Sequence, residues 1–167
     1  EAGKTLYFIS SWRDISERKL SEQALEKSEA QFKTLVEILP DLIWLKNPDG
    51  IFLACNKRFE DFYGATQEEI IGKSDYDFVS KELADFFRAN DQLAVEARGP
   101  TINEEEIPFA VDGHKEILET TKTPMFNSDG ELIGVLGIGH DITGRVRSEN
   151  AIRTSEARFS AIFQSSP

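Results

Sequence analysis

The sequence repeats itself at a distance of one domain, and that repeat limits the folds open to it more than any other feature. The run Ser28-Glu29-Ala30-Gln31-Phe32 returns as Ser155-Glu156-Ala157-Arg158-Phe159, 127 residues later. The same spacing carries Asp14-Ile15-Ser16 onto Asp141-Ile142-Thr143, Arg18 onto Arg145, Ser21-Glu22 onto Ser148-Glu149 and Pro40 onto Pro167, with no gap. A period that long is a whole domain, not one turn of a solenoid. Each copy reads as a strand, a polar joint and an amphipathic helix. In the first copy the strand falls at 5–12 and the helix at 17–39; in the second they fall at 132–140 and 145–164. The expected division is therefore fourfold. Residues 1–16 are a strand remnant of a preceding module and 17–39 a linker helix. Residues 40–143 form one complete module, and 144–167 hold a second linker helix and the start of a following module.

Between the repeats the pattern is mixed. An apolar strand at 42–45 meets the turn Asn47-Pro48-Asp49-Gly50, and a second strand returns at 51–54. Asn56 can cap a helix at 57–63 that Gly64 ends. Thr66-Gln67-Glu68-Glu69 has capping-box form, and Gly72 closes it. One turn at 75–79 precedes a longer helix, capped by Ser80, through residue 97. Its apolar stripe reads as Leu83, Phe86, Phe87 and Leu93. Three strands follow, at 102–110, 115–126 and 132–140, separated by the turns Asp112-Gly113 and Asn127-Ser128-Asp129-Gly130. The last is apolar on both faces, which predicts cover on both sides. Two strands, a helical crossover and three antiparallel strands make an α+β fold with one curved five-stranded sheet, flanked by linker helices. The space between sheet and helices is the natural ligand position.

Bulk properties remove several function classes. Nineteen Lys and Arg stand against 30 Asp and Glu, a net charge of −11. That balance argues against nucleic acid, whose phosphates need clustered cations, and against contact with an anionic membrane. The single cysteine, Cys55, forms no internal disulfide and reads as a small buried packing residue. The longest apolar stretch, 132–138, is far short of the roughly 20 residues that span a bilayer. No Walker-type phosphate loop and no catalytic triad stands out, so an enzyme is not expected.

The derived element order, Asn56-Lys57-Arg58-Phe59 after the second strand, Glu69-Ile70-Ile71-Gly72-Lys73 between helices and Gly130-Glu131-Leu132-Ile133-Gly134 leading to Asp141-Ile142-Thr143 together resemble the PAS family. The resemblance covers about residues 28–145, and the flanks look like the end and start of neighbouring PAS modules. It implies a PAS fold and a cytoplasmic bacterial sensor in which such modules precede an output domain, a histidine kinase or a diguanylate cyclase. It also implies three readings of the role: a module that binds a small ligand and relays the event, a ligand-free dimerising spacer, and a flavin-binding redox sensor.

Family members hold flavin, haem, a small organic molecule or nothing. The light-sensing flavin members carry their reactive cysteine in an Asn-Cys-Arg-Phe-Leu-Gln motif, which is absent here, so that photochemistry is not expected. Oxygen-sensing haem members use a histidine on the long helix; residues 80–97 contain none, and His114 and His140 read as surface or structural groups. A small organic ligand is favoured, with non-covalent flavin as the other candidate. The aromatic candidates for the lining are Trp44, Phe59, Phe62, Tyr63, Phe78, Phe86 and Phe87; the polar ones are Asn56, Thr121 and Lys122. The acidic clusters Asp75/Asp77 and Glu104-Glu105-Glu106 read as solvated surface, not as a metal site.

The joint Asp141-Ile142-Thr143, with Asp14 and Ser16 in the first copy, offers side-chain acceptors to the unpaired N–H groups that open a helix. These four polar residues are the expected signal relay between the sheet and the linker helix. The linkers carry a broken apolar stripe, Leu25, Phe32 and Leu39 at sevens, and Ile152, Phe159, Ile162 and Phe163 in the second copy. A parallel homodimer through these helices is the expected assembly.

Overall fold

The computed structural model describes the backbone of residues 2–164 and the side chains of residues 18–158. The chain divides into two compact units, residues 1–38 and 39–167.

The first unit is one helix, α1 (Ala2–Ile38). The strand expected at 5–12 is helical instead. No strand among the described residues pairs with it. A lone strand leaves its backbone N–H and C=O groups without partners, whereas a helix satisfies them within itself. Asp14 and Ser16 therefore lie inside a helix and not at a strand-to-helix joint; their side chains are outside the described residues.

The second unit is built from β1 (Leu42–Lys46), β2 (Phe52–Cys55), α2 (Lys57–Tyr63), α3 (Gln67–Ile70), a 3-10 turn (Asp75–Asp77), α4 (Lys81–Ala97), β3 (Thr101–Pro108), β4 (Lys115–Phe126), β5 (Leu132–Asp141) and α5 (Thr143–Gln164). The strands form one antiparallel sheet in the order β2-β1-β5-β4-β3, which closes the two ends of the module around a central β5. The local chemistry explains the boundaries. Gly50 takes φ +83°, the left-handed conformation that the Asn-Pro-Asp-Gly turn needs at its last position. Asn56 accepts from Phe59 N–H at the start of α2, and Gly64 ends that helix in the left-handed region. Thr66 and Glu69 form the reciprocal capping box of α3. Ser80 accepts from Leu83 N–H and opens α4.

The inner face of the sheet follows from the two-residue period of a strand. Leu42, Trp44 and Lys46 of β1 share it with Leu118, Thr120 and Lys122 of β4, and all six are buried. Against it pack Phe59, Phe62 and Tyr63 of α2, Ile70 of α3, and Phe87 of α4, which share one core cluster with Phe52, Ile107 and Phe109. The rings interlock at centroid distances of 4.6–6.4 Å around Phe62. The glycines of β5 make room for this packing. A Cβ at Gly137 would lie 2.2 Å from the Trp44 ring, so the indole sits directly on the strand backbone.

Two expectations about faces change. The buried stripe of α4 is Ala84, Phe87, Asp91 and Ala94, while Phe86 and Leu93 point to solvent. The helix turns a carboxylate inward because the sheet offers it cations. The outer face of β5 is also less covered than its sequence suggests, with Ile138 37% exposed.

Candidate functional site

Between the inner face of the sheet and the helices lies a cavity of about 20 Å³. It is lined by aromatic and aliphatic side chains and by five ionisable groups, Lys46, Tyr63, Asp75, Glu105 and Lys122. That volume is room for about one water molecule. Ordinary small-molecule pockets enclose roughly 300–1,000 Å³. Neither the isoalloxazine ring of a flavin nor a smaller organic ligand fits this space unless it opens.

What fills the rest is a buried ionic network. Lys46 Nζ donates to Asp75 Oδ2 at 2.6 Å and to Asp91 Oδ2 at 3.1 Å. Lys122 Nζ donates to Asp91 Oδ1 at 2.6 Å and to the Phe87 carbonyl at 2.8 Å. Tyr63 Oη donates to Asp75 Oδ1 at 2.9 Å. Thr120 Oγ1 donates to Glu105 Oε1 at 2.7 Å. The side chains of Lys46, Asp75 and Lys122 are at most 2% exposed. Two sheet lysines thus fasten the 3-10 turn and α4 to the sheet, and Tyr63 adds α2 to the same knot. Buried charges are tolerated only when paired and hydrogen-bonded in this way.

The electrostatics follow from burial and pairing. Burial pushes the Asp91 carboxyl up, but the two lysines outweigh it and hold it below the usual range. Burial lowers Lys122 despite Asp91. Tyr63 is pushed well above its ordinary value by burial and by the Asp75 charge. Glu105 is raised by burial, which its hydrogen bond from Thr120 and the lysines only partly offset.

Of the ten residues proposed from sequence to line the pocket, Trp44, Phe59, Phe62, Tyr63, Phe87 and Lys122 surround the cavity. Four do not. Thr121 lies on the opposite face of β4 from Lys122, as the strand period requires. Phe86 is 42% exposed on the outer side of α4. Phe78 stacks on Tyr63 from behind, ring centroids 4.6 Å apart. Asn56 is buried but bound to backbone: it accepts from Ile43 N–H and donates to the Asp41 carbonyl. The sequence reading missed Lys46, Asp75, Asp91 and Glu105. Asp75 and Glu105 belong to clusters expected to be solvated, yet Asp75 is buried and Glu105 reaches the cavity. The available signal was register: Glu105 shares a face with Ile107, and Lys46 with Leu42 and Trp44.

The joint at the far end of β5 is built as follows. Asp141 Oδ1 accepts from Thr143 N–H at 2.8 Å. Thr143 Oγ1 accepts from Ile117 N–H of β4 at 2.8 Å, and Ile142 N–H donates to the Ile117 carbonyl at 2.9 Å. Burial raises the Asp141 carboxyl, yet the hydrogen bonds from Thr143 and the nearby Arg58 leave it lowered overall. Ile142 is buried. The first residues of α5 are therefore locked to β4, the same strand that carries Lys122. Arg58 of α2 pairs with Glu116 of β4 beside this joint.

No helix among the described residues is long and apolar enough to cross a membrane. The family described as PAS fold matches residues 36–147. The chain is 27% identical over 151 residues to the two-component sensor PprA of Pseudomonas aeruginosa, covering 86% of this chain and 16% of PprA. It is 27% identical over 127 residues to the aerobic respiration control sensor ArcB of Escherichia coli, covering 76% of this chain and 16% of ArcB. The chain thus spans about a sixth of the length of these relatives. A PAS domain from Colwellia psychrerythraea superposes with a TM-score of 0.58 at 25% identity, over 69% of this chain and 97% of that one. VqmA bound to DPO superposes with a TM-score of 0.61 at 25% identity, over 68% of this chain and 57% of that one. The five-stranded sheet, the helical crossover and this match over residues 36–147 place the chain in the PAS family.

Proposed function

We propose that this chain is the signal-input and relay module of a sensor histidine kinase, itself without catalytic activity. The observation that carries the reading is the path from core to joint. Lys122 binds Asp91 and the Phe87 carbonyl of α4 at one end of β4, and Ile117 of the same strand binds Thr143 at the other. A shift of α4 or of the 3-10 turn against the sheet changes the pull on β4, and β4 is hydrogen-bonded to the first turn of α5. Strain then passes into the linker helix. The relatives PprA and ArcB, both named as sensors and the first as a two-component sensor, support a place in two-component signalling. The apolar residues Leu25, Phe32, Leu35 and Ile38 exposed on α1 support pairing of two copies through linker helices.

A second reading keeps the relay and adds a small organic ligand. The likeness to VqmA bound to DPO favours it. The cavity, about 20 Å³ in volume, then has to open, and α4 is the element that moves.

The test has two parts. Native mass spectrometry and an absorbance scan of freshly purified protein decide the ligand: a bound small molecule selects the second reading, and apo mass selects the first. Asp141→Ala in the full-length parent tests the relay. Kinase output is expected to stop following the stimulus while the module stays folded. An unchanged response refutes the relay.

A further inference from the structure

The cavity network holds one carboxylate more than it has cations. Lys46 and Lys122 are matched by Asp75 and Asp91, which they contact directly. Glu105 is the third carboxylate. It lies on β3, on the inner face, and lines the cavity. Its Oε1 is held by Thr120, while its Oε2 is buried beside the Asn103 amide, a weak donor to the carboxylate, with no hydrogen bond of ordinary geometry among the described residues. The groups that act on it come from every neighbouring element: Asn103 on its own strand, Thr120 and Lys122 on β4, Lys46 on β1, and Tyr63 on α2. The nearby aspartates Asp75 and Asp91 belong to the 3-10 turn and α4.

A carboxylate oxygen so poorly partnered in such a place is costly when charged and far less so when protonated. Two ammonium groups stand within the same network. Each makes two hydrogen bonds among those described, and an ammonium has three N–H groups. Lys122 is the one that matters mechanically, because both of its partners are on α4.

We infer that Glu105 is a proton-operated latch on α4. With the proton on, Glu105 is neutral, and Lys122 stays with Asp91 and the Phe87 carbonyl, holding the helix to the sheet. With the proton off, the new charge draws Lys122 toward β3. The lysine then divides its three N–H groups among Glu105, Asp91 and the Phe87 carbonyl, and the hold on α4 weakens. The step is a proton transfer to solvent and a redistribution of ion-pair contacts, with no other reactant. Because the folded module raises the Glu105 pKa, the latched state is favoured at low pH and weakens as pH rises through that value. The consequence for output rests on the relay reading above; the latch itself does not.

Amide hydrogen exchange of the isolated chain, corrected for intrinsic rates, tests it across pH 5–9 alongside a carbon-13 titration of the Glu105 carboxyl. Protection of the α4 amides around Phe87 and Asp91 is expected to fall about tenfold relative to β4 and β5 as Glu105 ionises. Glu105→Gln is expected to hold α4 protection flat over the same range. Equal pH dependence in the wild type and Glu105→Gln overturns the latch, as does a loss spread evenly over the whole module. If the variant does not fold, the wild type alone decides: the carboxyl transition and the α4 transition must share a midpoint, and separate midpoints overturn the proposal. A parent kinase indifferent to Asp141→Ala refutes the relay and leaves these exchange results unaffected.

Discussion

Removing the Asp91 carboxylate should be the most damaging single change in the core, and its damage should be reversible by a second change. Asp91 receives Lys122 at 2.6 Å and Lys46 at 3.1 Å, with side-chain exposures of 8%, 1% and 2% respectively. Solvent screening is small at those exposures, so the discount that applies to surface pairs does not apply. In Asp91→Leu, at a pH where Glu105 is protonated, Lys46 keeps Asp75, but of the hydrogen bonds described Lys122 keeps the Phe87 carbonyl alone. Stranding a buried charge costs about 3–5 kcal/mol. With a urea slope of about 2 kcal/mol per molar for a domain of this size, the unfolding midpoint should drop by about 2 M. The double variant Asp91→Leu with Lys122→Met removes the stranded ammonium along with its partner. Replacing both members of a buried pair by apolar groups is commonly neutral or stabilising, so most of the loss should return. The coupling between the two sites should be about 2 kcal/mol or more. Two results would refute the reasoning: a loss below about 1 kcal/mol in Asp91→Leu, or a double variant no more stable than the single one.

Two further changes probe other parts of the fold. Asn56→Ala removes a helix cap and strands Ile43 N–H and the Asp41 carbonyl, for an expected loss of about 2–3 kcal/mol in urea unfolding; a loss no larger than that of an ordinary cap would show that water replaces these bonds. Gly137→Ala forces a methyl into the Trp44 ring and should cost about 1–3 kcal/mol, with altered Trp44 fluorescence as the local sign. A melt unchanged from the wild type would mean that the indole moves aside without penalty.

The scaffold was readable because its punctuation is local. Asp-Gly turns, the Asn56 cap and the Thr66–Glu69 box act through neighbouring residues, so short stretches of sequence determine them. The aromatic half of the cavity was readable for a related reason: Phe62 and Tyr63 lie three and four residues after Phe59, on one face of a short helix. The ionic half was not. Lys46 looks like the polar end of a strand, and Asp91 looks like one more acid on a charged helix. Their partners lie 29, 31 and 45 residues away, and only the folded sheet brings them together. The strand expected at 5–12 failed for the opposite reason. Its pattern matches β5, but a strand exists only where neighbouring strands accept its hydrogen bonds.

At the rim of the module, His140 Nδ1 lies 2.7 Å from Asp41 Oδ1, joining the last residues of β5 to those just before β1. The two strands are adjacent and antiparallel, so the point where the chain comes into the sheet and the point where it leaves are side by side. On the relay proposed above, this adjacency offers a displacement of the chain entering β1 a short route to the Asp141 joint, alongside the route from α4 through β4. The cavity network ties α4 and the 3-10 turn to that same sheet, so on this reading it would set how stiffly both routes are held.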